Sequence, residues 1–212
     1  MLWPKYSRRL DQLNNNALLK AWIKANRGVP TLGSPSDLYR LINAEYVRNE
    51  PIDFLEFGVF EGRTLKHWAK LNSHAASRFW GFDSFTGLPE TWDFSLPKGT
   101  FDLAGRIPEI DDSRVQLIKG WFQDTLRAFL QNFQPRSRLI VHHDSDLYSS
   151  VLYCLTLMDA IAVSGTILIF DEFASALHEF RALNDYTKSY RRKLRAIGMT
   201  APFAEQVAFI YE

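Results

Sequence analysis

The chain has 212 residues, 46% hydrophobic and 14% aromatic, which suits one domain with a sizeable core and excludes a disordered segment. Lysine and arginine (25) balance aspartate and glutamate (24), so the net charge is +1 and the electrostatic footprint of a nucleic-acid binder is missing. The single cysteine, Cys154, excludes a disulfide framework and a cysteine-built zinc site, and a reducing, cytoplasmic setting is expected.

In chain order, residues 10–26 and 36–48 read as two helices, the second with Ser34 as N-cap and Pro35 at its first position. MLWPKYSRRLDQLNNN has no apolar core of the signal-peptide kind. βα alternation follows. IDFLEF (52–57) reads as a buried strand and 62–74 as a helix; RFWGFD (78–83) is a second strand. A Gly- and Pro-rich excursion covers 86–112, long enough for a lid or binding loop, in which Trp92, Phe94 and Phe101 are placed to close over a ligand. RVQLIK (114–119) is a third strand, 123–132 a helix, RLIVHHD (138–144) a fourth strand, and 149–163 a helix containing Cys154 as a buried structural thiol. GTILIFD (165–171) is a fifth strand, followed by a long helix to about Arg192. LRAIGMT and QVAFIY close the chain as an antiparallel pair. The stretch LYCLTLMDAIAVSGTILIF is broken by Asp159 and Ser164-Gly165, so it reads as helix, turn and strand and not as a membrane span. KSYRRKLR (188–195) reads as the solvated basic end of a helix. The pattern implies an α/β domain over 1–212: a helical appendage at 1–50, placed to cover a site or to pair two subunits, and a parallel-sheet core at 51–212.

The strands end in acids: Glu56, Asp83, Asp144 and Asp171-Glu172. In a parallel sheet these carboxylates converge on the edge where ligands bind. Any one of them alone would pass for a helix cap or a solvated turn residue. Together their repulsion calls for something positive. The turn after the first strand, Gly58-Val59-Phe60-Glu61-Gly62, has Phe60 where a dinucleotide turn needs glycine. It is one residue short of a P-loop and carries Arg63 where that loop has lysine. Glu61 would repel a phosphate in either case. S-adenosylmethionine has no phosphate and carries an ammonium and a sulfonium, so the carboxylates become partners. Asp83 could then accept ribose hydroxyls. Trp121 and Phe122, after Gly120, could flank an adenine or simply pack as core.

FLEFGVFEGRT, GFDSFTGLPE, KGWFQDTL, HHDSDLYSS and GTILIFDEF, in that order over about 52–173, resemble the class I S-adenosylmethionine-dependent methyltransferases, specifically the macrocin O-methyltransferase-like family. The resemblance implies a Rossmann-like fold with a seven-stranded, mostly parallel sheet, its last strand antiparallel, and helices on both faces. It implies cofactor contacts from Glu56, Gly58, Phe60, Glu61, Gly62, Thr64, Asp83, Ser84, Gly120, Trp121, Phe122 and Asp144. It also implies Mg²⁺ held by Asp144, Asp171 and Glu172, with Asp146 as an outer partner or helix cap. Three oxygen ligands with open positions suit that ion. The catechol-type relatives have a lysine base after the fourth strand, and HHDSDLYSS has none. His143, His142, Asp146 and His178 are the alternative proton acceptors, though strand alternation would bury one of the two adjacent histidines. The expected reaction is O-methyl transfer to a hydroxyl of a small polyol or sugar-containing molecule, assisted by the metal, with Asp144, His143 and His178 as candidate catalytic residues. A catalytically silent binding scaffold and a nicotinamide-dependent oxidoreductase with an atypical turn remain as alternatives.

Overall fold

The computed structural model describes residues 3–92 and 96–212, with side chains from residue 7 onward; Phe94 lies outside the described residues. The strands are β1 (Thr31–Leu32), β2 (Ile52–Phe57), β3 (Arg78–Asp83), β4 (Val115–Lys119), β5 (Arg138–His143), β6 (Ile167–Phe170), β7 (Leu194–Thr200) and β8 (Val207–Tyr211). The helices are α1 (Trp3–Ala25), α2 (Pro35–Leu41), α3 (Arg63–Leu71), α4 (Phe122–Asn132), α5 (Tyr148–Met158) and α6 (Glu179–Tyr190). One sheet holds all eight strands in the order β1-β7-β8-β6-β5-β2-β3-β4. Only β8 runs antiparallel to its neighbours, β6 and β7. Seven strands were expected. The eighth is the edge pair Thr31↔Met199 and Leu32↔Thr200 between β1 and β7, too short to leave a periodic signal.

Alternation along the buried strands sorts their side chains between two apolar layers. Leu55, Phe57, Val141, Leu168 and Phe170 face α4, α5, α6 and the second half of α1. Phe54, Ile140 and Ile169 face α2 and α3, where Leu38, Leu65 and Trp68 are fully buried. Leu65, Trp68 and Ala69 recur at helical spacing, so α3 buries one face. The N-terminal segment reaches both layers. Trp22 of α1 meets Phe173 at 4.8 Å between ring centroids, and Tyr39 of α2 lies under the sheet. Cys154 is buried among apolar neighbours.

Several boundaries differ from the sequence reading. The Ser34 side chain accepts the Asp37 N–H and Pro35 opens α2, as the cap pattern implies. The helix then widens into a π-helical turn over Ile42–Val47 that ends at a left-handed Arg48. The segment 171–178 folds into turns, closed by Ser175 N–H to Glu172 O and His178 N–H to Ser175 O, before α6 begins. The basic cluster is not one helix end. It closes α6, turns at a left-handed Arg191 and enters β7. Arg192 clamps Asp159 through Nε (2.6 Å) and Nη2 (2.7 Å). No helix among the described residues is long and apolar enough to cross a membrane.

The chain runs outward from β2 through β3 to β4, then returns to the other side of β2 as β5 and continues to β6. The reversal between β2 and β5 is the switch point of the sheet, where the carboxyl ends of strands open a crevice. The excursion between β3 and β4 lies at this end and is internally bonded: Leu88 N–H to Thr100 O (2.9 Å), Gly99 N–H to Leu88 O (3.0 Å) and Gly105 N–H to Phe85 O (2.7 Å).

Candidate active site

At the switch point Gly58 leaves β2 with φ +93° and donates to Phe82 O at 3.0 Å. A Cβ here would overlap the carbonyl of Asp144, so the two strand ends close only on glycine. Asp144 N–H in turn donates to Phe57 O at 2.9 Å. The turn is held open by Asp83. Its Oδ2 accepts Val59 N–H (2.8 Å) and Phe60 N–H (2.9 Å), and its Oδ1 accepts Phe85 N–H (2.7 Å). Asp83 therefore shapes the turn and the start of the excursion, and a ribose contact would share oxygens already in use. Glu61 is exposed and pairs with Arg63 at 2.8 Å.

These elements enclose a cavity of about 530 Å³. Of the expected residues, Gly58, Phe60, Glu61, Thr64, Asp83, Ser84, Gly120, Trp121, Phe122, Asp144, Asp146, Asp171 and Glu172 border it. The excursion forms another wall with Leu88, Glu90, Trp92 and Phe101. Phe101 meets Phe60 edge-on at 5.4 Å, and Glu90 accepts the Ser149 hydroxyl at 2.9 Å, so this wall is tied to the glycine turn and to α5. Trp121 is 40% exposed, whereas Phe122 also packs on Phe57 at 5.5 Å.

Five expected residues do not border the cavity. Gly62 is the left-handed N-cap of α3, where a Cβ would press on Ile110 Cδ1 at 3.0 Å. Glu56 is 1% exposed and sits behind Asp144, with Oε2 unpartnered. His143, expected as a candidate base, is fully buried on the α5 side of the sheet, stacked between Phe57 (5.7 Å) and Phe170 (4.9 Å). His178, the other candidate, precedes α6, and its Nδ1 accepts the N–H of Tyr148 at the start of α5 (3.2 Å). Neither histidine borders the cavity, although the His178 ring lies 6.3 Å from that of Trp92, which does. His142 points to the opposite face from His143. Its Nε2 meets the Tyr39 hydroxyl at 3.2 Å, and its Nδ1 lies 3.5 Å from Glu56 Oε1. Burial lowers its pKa to about 3, so the ring is neutral.

The converging acids disfavour one another's ionisation. Burial, then the charges of Asp171, Glu56, Asp146 and Glu179, pushes the Asp144 carboxyl well above the usual carboxylate range. Burial raises Glu56 likewise, followed by Asp171 and Asp83. Asp171 is raised to about 7 by burial and then by Glu172 and Glu205, and Asp146 to about 7 by burial and then by Glu172, Asp171 and Asp83. These groups resist ionising together, which is the arrangement a bound cation relieves. Ligand atoms of Glu56, His142 and Asp144 lie within 4.8 Å of one another. Asp171 stands 3.9 Å from His142 Nε2, and Gln206 Nε2 donates to its Oδ1.

Three further participants escape sequence reading. Gln206, 6% exposed at the start of the β8 segment, holds Asp171. Glu179, fully buried at the first position of α6, accepts the Glu172 N–H at 2.8 Å. Tyr39 reaches His142 from α2. Glu179 and Gln206 stand in ordinary helix-start and strand-start patterns, and no local signal separates them from solvated residues.

A family profile described as "Methyltransferase domain" matches residues 55–173. The chain is 29% identical over 196 residues to 8-demethyl-8-(2,3-dimethoxy-alpha-L-rhamnosyl)-tetracenomycin-C 4'-O-methyltransferase of Streptomyces olivaceus, covering 79% of this chain and 70% of that protein. Among solved structures, the calicheamicin methyltransferase CalS11 aligns with a TM-score of 0.61 at 21% identity over 84% of this chain and 80% of its own. CalS11 is described as a TDP-rhamnose 3'-O-methyltransferase. A CmcI structure with Mg and SAM aligns at 0.57 and 18% identity, covering 88% and 75%. The switch-point cavity, its glycine turn and the matched span agree: the chain belongs to the methyltransferase domain family.

Proposed function

We propose that residues 1–212 form one domain that transfers the methyl group of S-adenosylmethionine to a hydroxyl of a small polyol or sugar-containing molecule, with Mg²⁺ in the acidic wall. The observation that carries the reading is the glycine turn at the switch point, which opens onto carboxylates and not onto phosphate-binding donors. The cofactor would lie along Gly58–Glu61, Asp83 and Ser84, with its adenine beside Trp121 and Phe122. Asp144, Asp171 and Glu172 would hold the cation.

The residues fit a hard cation. The donor set is oxygen-rich, and Glu56 Oε2 and Gln206 Oε1 are buried beside it without hydrogen-bond partners. A bound Mg²⁺ would supply Lewis acidity toward an acceptor hydroxyl, and the sulfonium cofactor supplies the methyl group. The chain itself positions the acceptor. Asp144 is pinned by its backbone bond to β2, Asp171 by Gln206, and Glu172 by Glu179. With His143 and His178 outside the cavity lining, the acceptor proton would pass to a wall carboxylate outside the cation set, and we assign it to Asp146, two residues after Asp144. No serine or cysteine nucleophile is needed. What further supports the reading is the activity of the relatives, sugar O-methyl transfer in the tetracenomycin and calicheamicin enzymes.

Asp144→Asn and Asp171→Asn are the test. Each is expected to lower methyl transfer to sugar acceptors by about a hundredfold or more while circular dichroism stays unchanged. Full activity in either folded variant would remove the acidic wall from the mechanism. Stabilisation of the wild type by NAD(H) in a thermal shift, with none by S-adenosylhomocysteine, would favour the oxidoreductase alternative.

A further inference from the structure

We propose that the acceptor is a phosphate-free glycoside or polyol whose ring face lies against the aromatic wall of the excursion, and not a sugar carried on a nucleoside diphosphate. This rests on the methyl-transfer reading, because it names the class of molecule that would face the cofactor. The two relatives described above stand on opposite sides of this choice: one acts on a rhamnosyl group already attached to its aglycone, the other on TDP-rhamnose.

Charge decides against the diphosphate. Among the described residues the cavity is bordered by seven carboxylates and one cation, Arg63, and Arg63 is paired with Glu61 at 2.8 Å. The sulfonium cofactor would offset part of this charge without adding a hydrogen-bond donor for phosphate; a divalent cation is the one group here that could take a phosphate oxygen, and the proposed reaction assigns its open positions to the acceptor hydroxyl. Phosphate groups are bound by arginine forks, lysines or helix N-termini. Lys119 is turned to Gly105 O at 2.6 Å and Arg106 Nε to Leu103 O at 3.2 Å. Of the three helix N-termini at the cavity, two are also unsuited, those of α4 and α5, and the third, α3, opens on Arg63 paired with Glu61. The first turn of α4 carries Asp124, and the Tyr148 N–H at the start of α5 is taken by His178. Glu90 stands on the excursion, held by Ser149.

A second set of observations points to a neutral, hydroxyl-bearing ligand. Ser145 is 6% exposed and borders the cavity, and its hydroxyl has no hydrogen-bond partner among the described residues. Trp92, also in the cavity wall, has its Nε1 buried without a partner among the described residues. These groups and the carboxylates can exchange hydrogen bonds with sugar hydroxyls. Phe101 and the Trp92 ring supply apolar faces for the C–H side of a sugar or for an attached aromatic ring.

The experiment uses the full chain loaded with S-adenosylhomocysteine and excess Mg²⁺, titrated calorimetrically with 4-nitrophenyl α-L-rhamnoside and, separately, with thymidine diphosphate. The glycoside is expected to bind at least tenfold more tightly than the diphosphate, and to lose about tenfold in Trp92→Ala. Glu90→Lys is expected to strengthen diphosphate binding in low salt, and diphosphate binding no tighter than in the wild type would contradict the charge argument. Diphosphate binding as tight as the glycoside's in the wild type overturns the proposal, and so does failure of both ligands to bind. Failure of S-adenosylhomocysteine to bind in the first step is a different result: it removes the methyl-transfer reading, and this inference falls with it.

Discussion

Gly58 and Asp144 come from strands far apart in sequence, and their backbones meet so closely that no side chain fits between them. This contact sets the geometry of the cavity floor. Gly58→Ala places a Cβ against the Asp144 carbonyl and forces a residue with a side chain to φ +93°. The variant is expected to lose about 2 kcal/mol of stability and roughly tenfold in S-adenosylhomocysteine affinity, read by denaturant melts and calorimetry; wild-type affinity in a folded variant would contradict the assignment. The strand-end acids were legible at this scale because each breaks an apolar run and the parallel order of the strands brings them to one edge of the sheet. The histidines were not. Both faces of β5 are buried, so alternation places His142 and His143 on opposite sides without saying which side faces the acids. Only the packed structure shows His143 between Phe57 and Phe170. Asp83 was legible as a site residue. Its three backbone N–H partners were not, because they depend on the path of the turn and the excursion.

Elements meet through polar staples that no sequence period announces. Asp159, just past α5, accepts from Tyr186 of α6 at 2.6 Å and from two nitrogens of Arg192. The Arg192 hydrogen bond holds the Asp159 carboxyl below its ordinary value of 3.8. A depressed carboxylate pKa contributes stability that is fully present above the unfolded value and is lost as pH falls through the folded one. Asp159→Asn is therefore expected to melt below the wild type at pH 7, with the difference shrinking once pH drops below about 3.8. A difference that stays constant from pH 7 to pH 3 would show that the staple acts through shape and not charge. The basic cluster read as a solvated helix end because charge pattern alone cannot reveal a partner that lies 33 residues earlier in the chain. The helix positions were legible from their periodicity. The turns at 171–178 were not, because FASALHEF continues a helical pattern while the structure bends it to bring Glu179 under Glu172.

For the whole molecule, alternation of strands and helices was enough to imply a parallel sheet with a crevice at its carboxyl edge, and the switch point between β2 and β5 is where that crevice opens. The edge strand β1 and the reach of α1 and α2 into both apolar layers depend on tertiary packing and left no mark in the sequence. The central claim is that this crevice holds a sulfonium cofactor and not a nucleotide phosphate. Calorimetric titration of the folded protein with S-adenosylhomocysteine tests it most directly. Saturable binding of one molecule per chain, weakened by Gly58→Ala, is the predicted result; no binding by a protein shown to be folded would contradict the account.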